Sequence, residues 1–241
     1  MKTIALFFSF VCLVLPTLKG QVKVFEPEVV QKHDLSEEAL EAFVQRKKAY
    51  DELIASDITF DEMTLEQREL LEDEMILELG PFGTGPLGCS WYCATGPSAY
   101  DASSQLDSSA THTYKPQNVH DFDLRTAWVE GKEDHGKGEE IQIAFDLNPV
   151  LKLTHIEIYN GYCKSERLWK ANSRVKLMAL YIDQELKGHL KLEDSYALQR
   201  FEIGSLGGKF KVRLKILDVY PGSKYADTAI SEINFDGTGD H

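Results

Sequence analysis

Lys209-Phe-Lys-Val-Arg-Leu-Lys-Ile216 alternates charged and apolar residues without a break. A period of two puts Phe210, Val212, Leu214 and Ile216 on one face and Lys209, Lys211, Arg213 and Lys215 on the other, the pattern of a strand with one dry and one wet side. Ile141, Ile143 and Phe145 repeat that spacing, as do Ile156 and Ile158, and then Val175, Leu177 and Ala179. No long helical pattern separates these runs. Residues 89–241 therefore read as a mainly β domain, an antiparallel sandwich.

Upstream of the first alternating run lies Asn118-Val-His-Asp-Phe-Asp-Leu-Arg-Thr-Ala-Trp128. Asp121, Asp123 and Thr126 crowd carboxylate and hydroxyl oxygens into one tight loop, a set of hard ligands that calcium favours. The alternative is that the two aspartates only make Asx turns. Trp128, at the end of the loop, is expected to be a core anchor.

Before residue 89 the chain has a different character. Residues 1–20 read as a secretory signal, with Lys2 at the positive end, an apolar run from Ile4 to Leu15, and Pro16 and Gly20 ahead of a cleavage point at Gln21. The apolar run is short for a bilayer span, and an uncleaved anchor is the alternative. The rest would be exported, secreted or periplasmic, with no membrane span after cleavage. Residues 21–88 form an acidic extension carrying 17 acidic and 6 basic groups, against 22 and 18 in residues 89–241. Ser36 can cap a helix striped by Leu40, Phe43, Val44, Tyr50, Leu53 and Ile54. Thr64 and Gln67 make a capping-box pattern ahead of Leu65, Leu70, Leu71, Met75 and Leu79. Two amphipathic helices over 34–79 are expected, followed by a turn-rich linker from Gly80 to Gly88. Neither half has the basic surface that nucleic acid or an anionic membrane requires.

Three cysteines follow the signal: Cys89, Cys93 and Cys163. In an oxidising compartment one pair can bond, and Cys89-Ser-Trp-Tyr-Cys93 is the obvious disulfide, pinning local shape. Its spacing is wrong for a redox pair, and no neighbouring ligands complete a zinc site.

The loop from Asn118 to Trp128 resembles the signature of galactose-binding-like modules of the coagulation factor 5/8 type C, or discoidin, class. The resemblance extends over most of residues 89–241. It includes Thr126-Ala-Trp-Val-Glu-Gly131, Gly136-Lys-Gly138 with Glu140, Asn160-Gly-Tyr-Cys-Lys-Ser165, Asn172-Ser-Arg174, Asp218-Val-Tyr-Pro-Gly-Ser-Lys-Tyr225 and Asp227-Thr-Ala-Ile-Ser-Glu-Ile233. Together these are similar to the discoidin-type subgroup found beside bacterial NAD glycohydrolases, described as a glycan-binding or translocation domain. The resemblance implies a galactose-binding-like jelly-roll β-sandwich with its first and last strands adjacent. Glu232 would then complete the loop of Asp121, Asp123 and Thr126 around a structural calcium. Cys163 departs from the subgroup's polar residue, which implies an unpaired thiol. No nicotinamide-cleaving domain is present, so that activity is not carried over.

A non-catalytic module recognising carbohydrate or a glycosylated surface is the expectation. Sugar C–H faces stack on aromatics while loop polar groups take the hydroxyls. The candidates are Tyr162, Trp169, Tyr220 and Tyr225, with Asn160, Lys164, Asn172, Arg174 and Lys224 beside them; Trp91 and Tyr92 are further loop aromatics. The alternative is a protein–protein adaptor, an accessory domain that holds an exported partner through the helical extension. An extracellular hydrolase is less favoured, because His120 and Asp121 as loop neighbours make no dyad, His112, His135, His155 and His189 lack metal spacing, and no nucleophile elbow or phosphate loop occurs.

Overall fold

The computed structural model describes residues 22–32, 34–87 and 90–239. The signal segment 1–20 and Cys89 lie outside them, so the export signal and the Cys89–Cys93 bond do too.

Two sheets form the body. The strands are β1 (Val24–Phe25), β2 (Glu28–Lys32), β3 (Ala99–Ala102), β4 (Trp128–Val129), β5 (Glu140–Asp146), β6 (Lys152–Asn160), β7 (Arg174–Ile182), β8 (Glu185–Lys191), β9 (Ala197–Leu206), β10 (Lys209–Tyr220) and β11 (Ala229–Thr238). One sheet runs β1-β8-β7-β10-β5-β3 and the other β2-β9-β6-β11-β4. The alternating residues of the opening stretch point inward from β10, where Val212, Leu214 and Ile216 are fully buried and Phe210 nearly so. They meet Ile141, Ile143 and Phe145 of β5, and Ile156 and Ile158 of β6 from the opposite sheet, in one continuous core. This is the mainly β sandwich that the period of two requires.

In β7 the inward phase differs from the even alternation of Val175, Leu177 and Ala179. Val175 belongs to the core, but so do Met178, Leu180 and Ile182, while Leu177 is half-buried. The register with β10 slips between Ile216 and Val219. A bulge inserts an extra residue, and each extra residue reverses which face the following side chains take.

The stretch read as a helical extension opens with strands. β1 pairs in parallel with β8, and β2 pairs antiparallel with β9, so residues 24–32 cover one edge of each sheet. The helices follow: α1 (Glu37–Ile54), α2 (Leu65–Glu72) and α3 (Glu74–Leu79), with a 3₁₀ turn at Phe60–Glu62. Ser36 Oγ accepts from Ala39 N, and Thr64 and Gln67 form the capping box. The expected second helix is broken at Asp73. Tyr50, Leu53, Leu70 and Leu77 form a small core of the arm's own, and Val44, Ile54, Leu65 and Met75 stay exposed.

The linker is a strap rather than a slack tether. Leu124 N donates to Phe82 O (2.9 Å) and Thr84 N to Phe122 O (3.0 Å), so residues 82–84 lie along the loop that precedes β4. Phe82 packs on the cluster of Leu124, Tyr159, Cys163 and Trp169.

Candidate functional site

Two features stand at the same end of the sandwich. The first is the loop between the 3₁₀ turn Pro116–His120 and β4. Phe122 adopts a left-handed conformation (φ 59°), which folds the chain back on itself. Thr126 Oγ1 donates to Asp121 Oδ2 (2.7 Å) and lies 3.3 Å from Asp123 O and 3.4 Å from Asn118 O. The Asn118 amide holds that turn by donating to Thr113 O and Ala127 O. Glu232 enters from β11, fully buried. Its Oε1 accepts from Asp123 N (2.8 Å), while its buried Oε2 has no partner. Burial, followed by the negative charge of Asp121, pushes the Glu232 carboxyl up to about 9.

These oxygens converge as an oxygen-ligand set would: the Asp121 and Glu232 carboxylates, the Thr126 hydroxyl, and the carbonyls of Asn118 and Asp123. The donor chemistry and the orphaned Oε2 of Glu232 fit a hard cation such as calcium. The Asp123 carboxylate does not join them. Burial works against its charge, but Arg125 grips both oxygens, through Nε (2.8 and 3.0 Å) and Nη2 (2.7 Å), and holds the group below its ordinary range. Asp123 thus offers its backbone carbonyl and not its side chain. Among the described residues no group of three or more His, Cys, Asp or Glu side chains could hold a metal, so any site here depends on the hydroxyl and carbonyl oxygens.

The second feature is a pocket of about 300 Å³ walled by Tyr114, Tyr162 and Tyr225, with Asn172 and Asp227 at its polar side and Leu106, Val129 and Leu168 beneath. Tyr162 OH donates to Arg125 O (3.3 Å), which ties this wall to the oxygen-rich loop. Tyr225 is 40% exposed, with Lys224 Nζ 4.8 Å from its ring centre. Its loop is held at several points. Lys224 N and Tyr225 N donate to Ala171 O at the end of the short helix α4 (Glu166–Ala171), and Gly222 N donates to Ser173 Oγ. A Cβ at Gly222 would stand 2.4 Å from Ala171 O, so only glycine permits this approach.

The candidates from the sequence divide here. Tyr162, Asn172 and Tyr225 line the pocket, and Lys224 adjoins it. Trp169, Arg174 and Asn160 do not form a rim: all three are buried and none of them lines the pocket. Arg174 lies 4.4 Å from the Trp169 ring centre, bonds both oxygens of Asp194 and donates to the carbonyls of Trp169 and Asn172. Asn160 clamps Val175 through its amide, and its own carbonyl accepts from Trp169 Nε1 (2.7 Å). These residues brace β6, α4 and β7. Tyr220 OH donates to Leu192 O, and Lys164 is half-buried; neither lines the pocket. Trp91 is buried and Tyr92 receives a bond from Phe235 N, so both serve packing. Trp128 is fully buried and donates to Ser104 O (2.9 Å). Cys163 is buried and forms no disulfide, and burial pushes its thiol up to about 12.

Sequence reasoning missed Tyr114 and Asp227 as pocket residues. Tyr114 lies in a polar stretch without periodicity, and Asp227 was legible only as part of the motif Asp227–Ile233. Among the described residues no helix is long and apolar enough to cross a membrane.

Residues 91–236 match the family model described as "NAD glycohydrolase translocation F5/8 type C domain". No curated protein sequence matches the chain. Among solved structures, the chain is similar to a CBM32 module of Clostridium perfringens (CpGH89CBM32-5) in complex with GalNAc-beta-1,3-galactose, at 13% identity and TM-score 0.40, covering 57% of this chain and 94% of that one. A CBM32 module from a family 31 glycoside hydrolase of the same organism aligns at 14% identity and TM-score 0.40, over 57% and 88% of the two chains. The C-terminal domain of a chitobiase from Bacteroides fragilis aligns at 17% identity and TM-score 0.39, over 59% and 95%.

Proposed function

Since the chain belongs to the NAD glycohydrolase translocation F5/8 type C domain family, we propose that it is an exported, non-catalytic module that recognises carbohydrate. The observation that carries this reading is the pocket of Tyr114, Tyr162 and Tyr225. Tyrosine faces stack on the apolar side of a sugar ring, and Asp227 and Asn172 stand beside them as groups for its hydroxyls. Asp227 is acidic and the chain is strongly anionic, with a net charge of −13. That combination favours a neutral sugar over a sialylated or sulfated one.

The oxygen-rich loop is assigned a structural calcium, held by Asp121, Thr126 and Glu232 with the carbonyls of Asn118 and Asp123. The ion would supply a crosslink between the loop and β11 and take no part in chemistry. Because Tyr162 bonds to Arg125 O on that loop, the crosslink also steadies one wall of the pocket.

A glycan array probed with the purified protein, with and without calcium, tests the reading. Binding to neutral glycans that is lost in Tyr225→Ala and Tyr114→Ala, with the melting temperature unchanged, is the expected result. An empty array, or binding that survives both substitutions, refutes it.

A further inference from the structure

A second concavity, of about 570 Å³, opens between the helical arm and the sandwich. Phe43 of α1 and Ile76 and Leu79 of α3 form one wall; Tyr159 of β6 and Leu198 of β9 form the other, and the strap closes the end with Leu87. Several of these side chains face water: Ile76 is 49% exposed, Leu79 37% and Leu87 49%. Apolar residues gathered in this way, when a chain could bury them, mark a contact surface.

Charge narrows what that surface contacts. The charged residues lining the cleft are both acids, Asp34 and Glu157; Arg200 pairs with Glu157, which leaves Asp34 and the acids of the arm to set the sign of the surface. The arm behind it, residues 34–79, holds 15 acidic and 4 basic residues. Its cations are already engaged: Arg46 with Asp73, Lys47 with Asp51, Lys48 with Glu52, and Arg68 over the Phe60 ring. Glu41 of α1 and Glu78 of α3 are exposed on the same helices that wall the cleft. An acidic or neutral partner would be repelled or unrewarded here. A second copy of the chain, itself at −13, would bring acid against acid.

We infer that this cleft docks a cationic amphipathic segment of a partner protein, its apolar side chains seated between α3 and β6–β9 and its lysines or arginines against the acidic arm. The surface is separate from the tyrosine pocket, so it stands or falls independently of the sugar reading.

Titration of the purified protein with three synthetic peptides of equal length tests it. One carries leucine and lysine at helical spacing, one has the same composition scrambled so that no apolar face forms, and one replaces each lysine with glutamate. The first is expected to bind saturably with one peptide per chain and to weaken as salt is raised. The other two are expected not to bind. The double variant Ile76→Asp, Leu79→Asp is expected to weaken binding at least about ten-fold. Its circular dichroism should be unchanged, since both side chains are solvent-exposed. Equal binding of the scrambled peptide would reduce the effect to charge alone and overturn the inference. So would absence of binding by the first peptide, or undiminished binding by the double variant. A concentration-dependent dimer in sedimentation, dissolved by that variant, would assign the cleft to a second copy and overturn it as well.

Discussion

The sandwich and the helical arm solve the same problem with very different resources. In the sandwich, residues from both sheets interlock around Phe145, Phe201 and Phe235, all at most 1% exposed. The arm buries only Tyr50, Leu53, Leu70 and Leu77, and leaves Val44, Ile54 and Leu65 in water. An amphipathic helix has a single stripe to hide, and one long and two short helices can hide little of it from one another. The contrast teaches where each region's order originates. The sandwich is ordered by its own core, whereas the arm depends on caps, on the Tyr50 OH bond to Glu74 and on the strap that fastens residues 82–84 to the loop at 122–124.

The largest expected effect lies in the sandwich. Phe201→Ala removes a fully buried ring and should destabilise the whole domain by about 3–5 kcal/mol, seen as a lower midpoint in urea. Leu77→Ala should cost about 2–4 kcal/mol, but in the arm alone. Hydrogen exchange should then accelerate over residues 37–79 while β5, β6 and β10 keep their protection. Equal loss of protection in both regions would show that they fold as one unit.

Smaller effects sharpen the comparison at the pocket end of the sandwich. Chelation should lower the melting temperature by a few degrees, since an ion bound only by the folded state stabilises it by mass action, about 2.7 kcal/mol at a hundred times its dissociation constant. Glu232→Gln should abolish the difference between chelated and calcium-loaded protein, and a difference that persists would place the ion elsewhere. Arg174→Ala should destabilise the domain by about 1–2 kcal/mol, as it leaves two buried carbonyls without their donor and uncovers Trp169, while the half-exposed Asp194 is resolvated. Tyr225→Ala is expected to change stability by less than about 0.5 kcal/mol, as for other surface substitutions, yet to remove glycan binding. Reversed behaviour of these last two variants would move the sugar site from the tyrosine pocket back to the Trp169–Arg174 cluster.

Much of the architecture was legible because it rests on local rules. Alternation marked β5, β6 and β10, and the caps at Ser36 and Thr64 marked the starts of α1 and α2. The phase reversal in β7 was not legible, since a bulge is fixed by the neighbouring strand and not by the residues within it. Nor were β1 and β2, short edge strands whose ladders exist only once β8 and β9 are in place. At the pocket, Tyr162, Asn172 and Tyr225 were named from their loops. Tyr114 and Asp227 became visible only when those loops met.

The amino-acid order alone determined that this chain makes a sandwich with one dry face per strand, an acidic helical arm and a loop rich in oxygen ligands, for each follows from periodicity, caps or composition within a few residues. Tertiary structure decided which aromatic side chains remain open. Tyr225 and Trp169 sit in equally polar stretches, yet Trp169 is covered by Tyr196 from a distant segment as well as by Arg174 nearby, and Tyr225 is not. Burial is a sum over neighbours distant in sequence, and a local pattern carries no record of them.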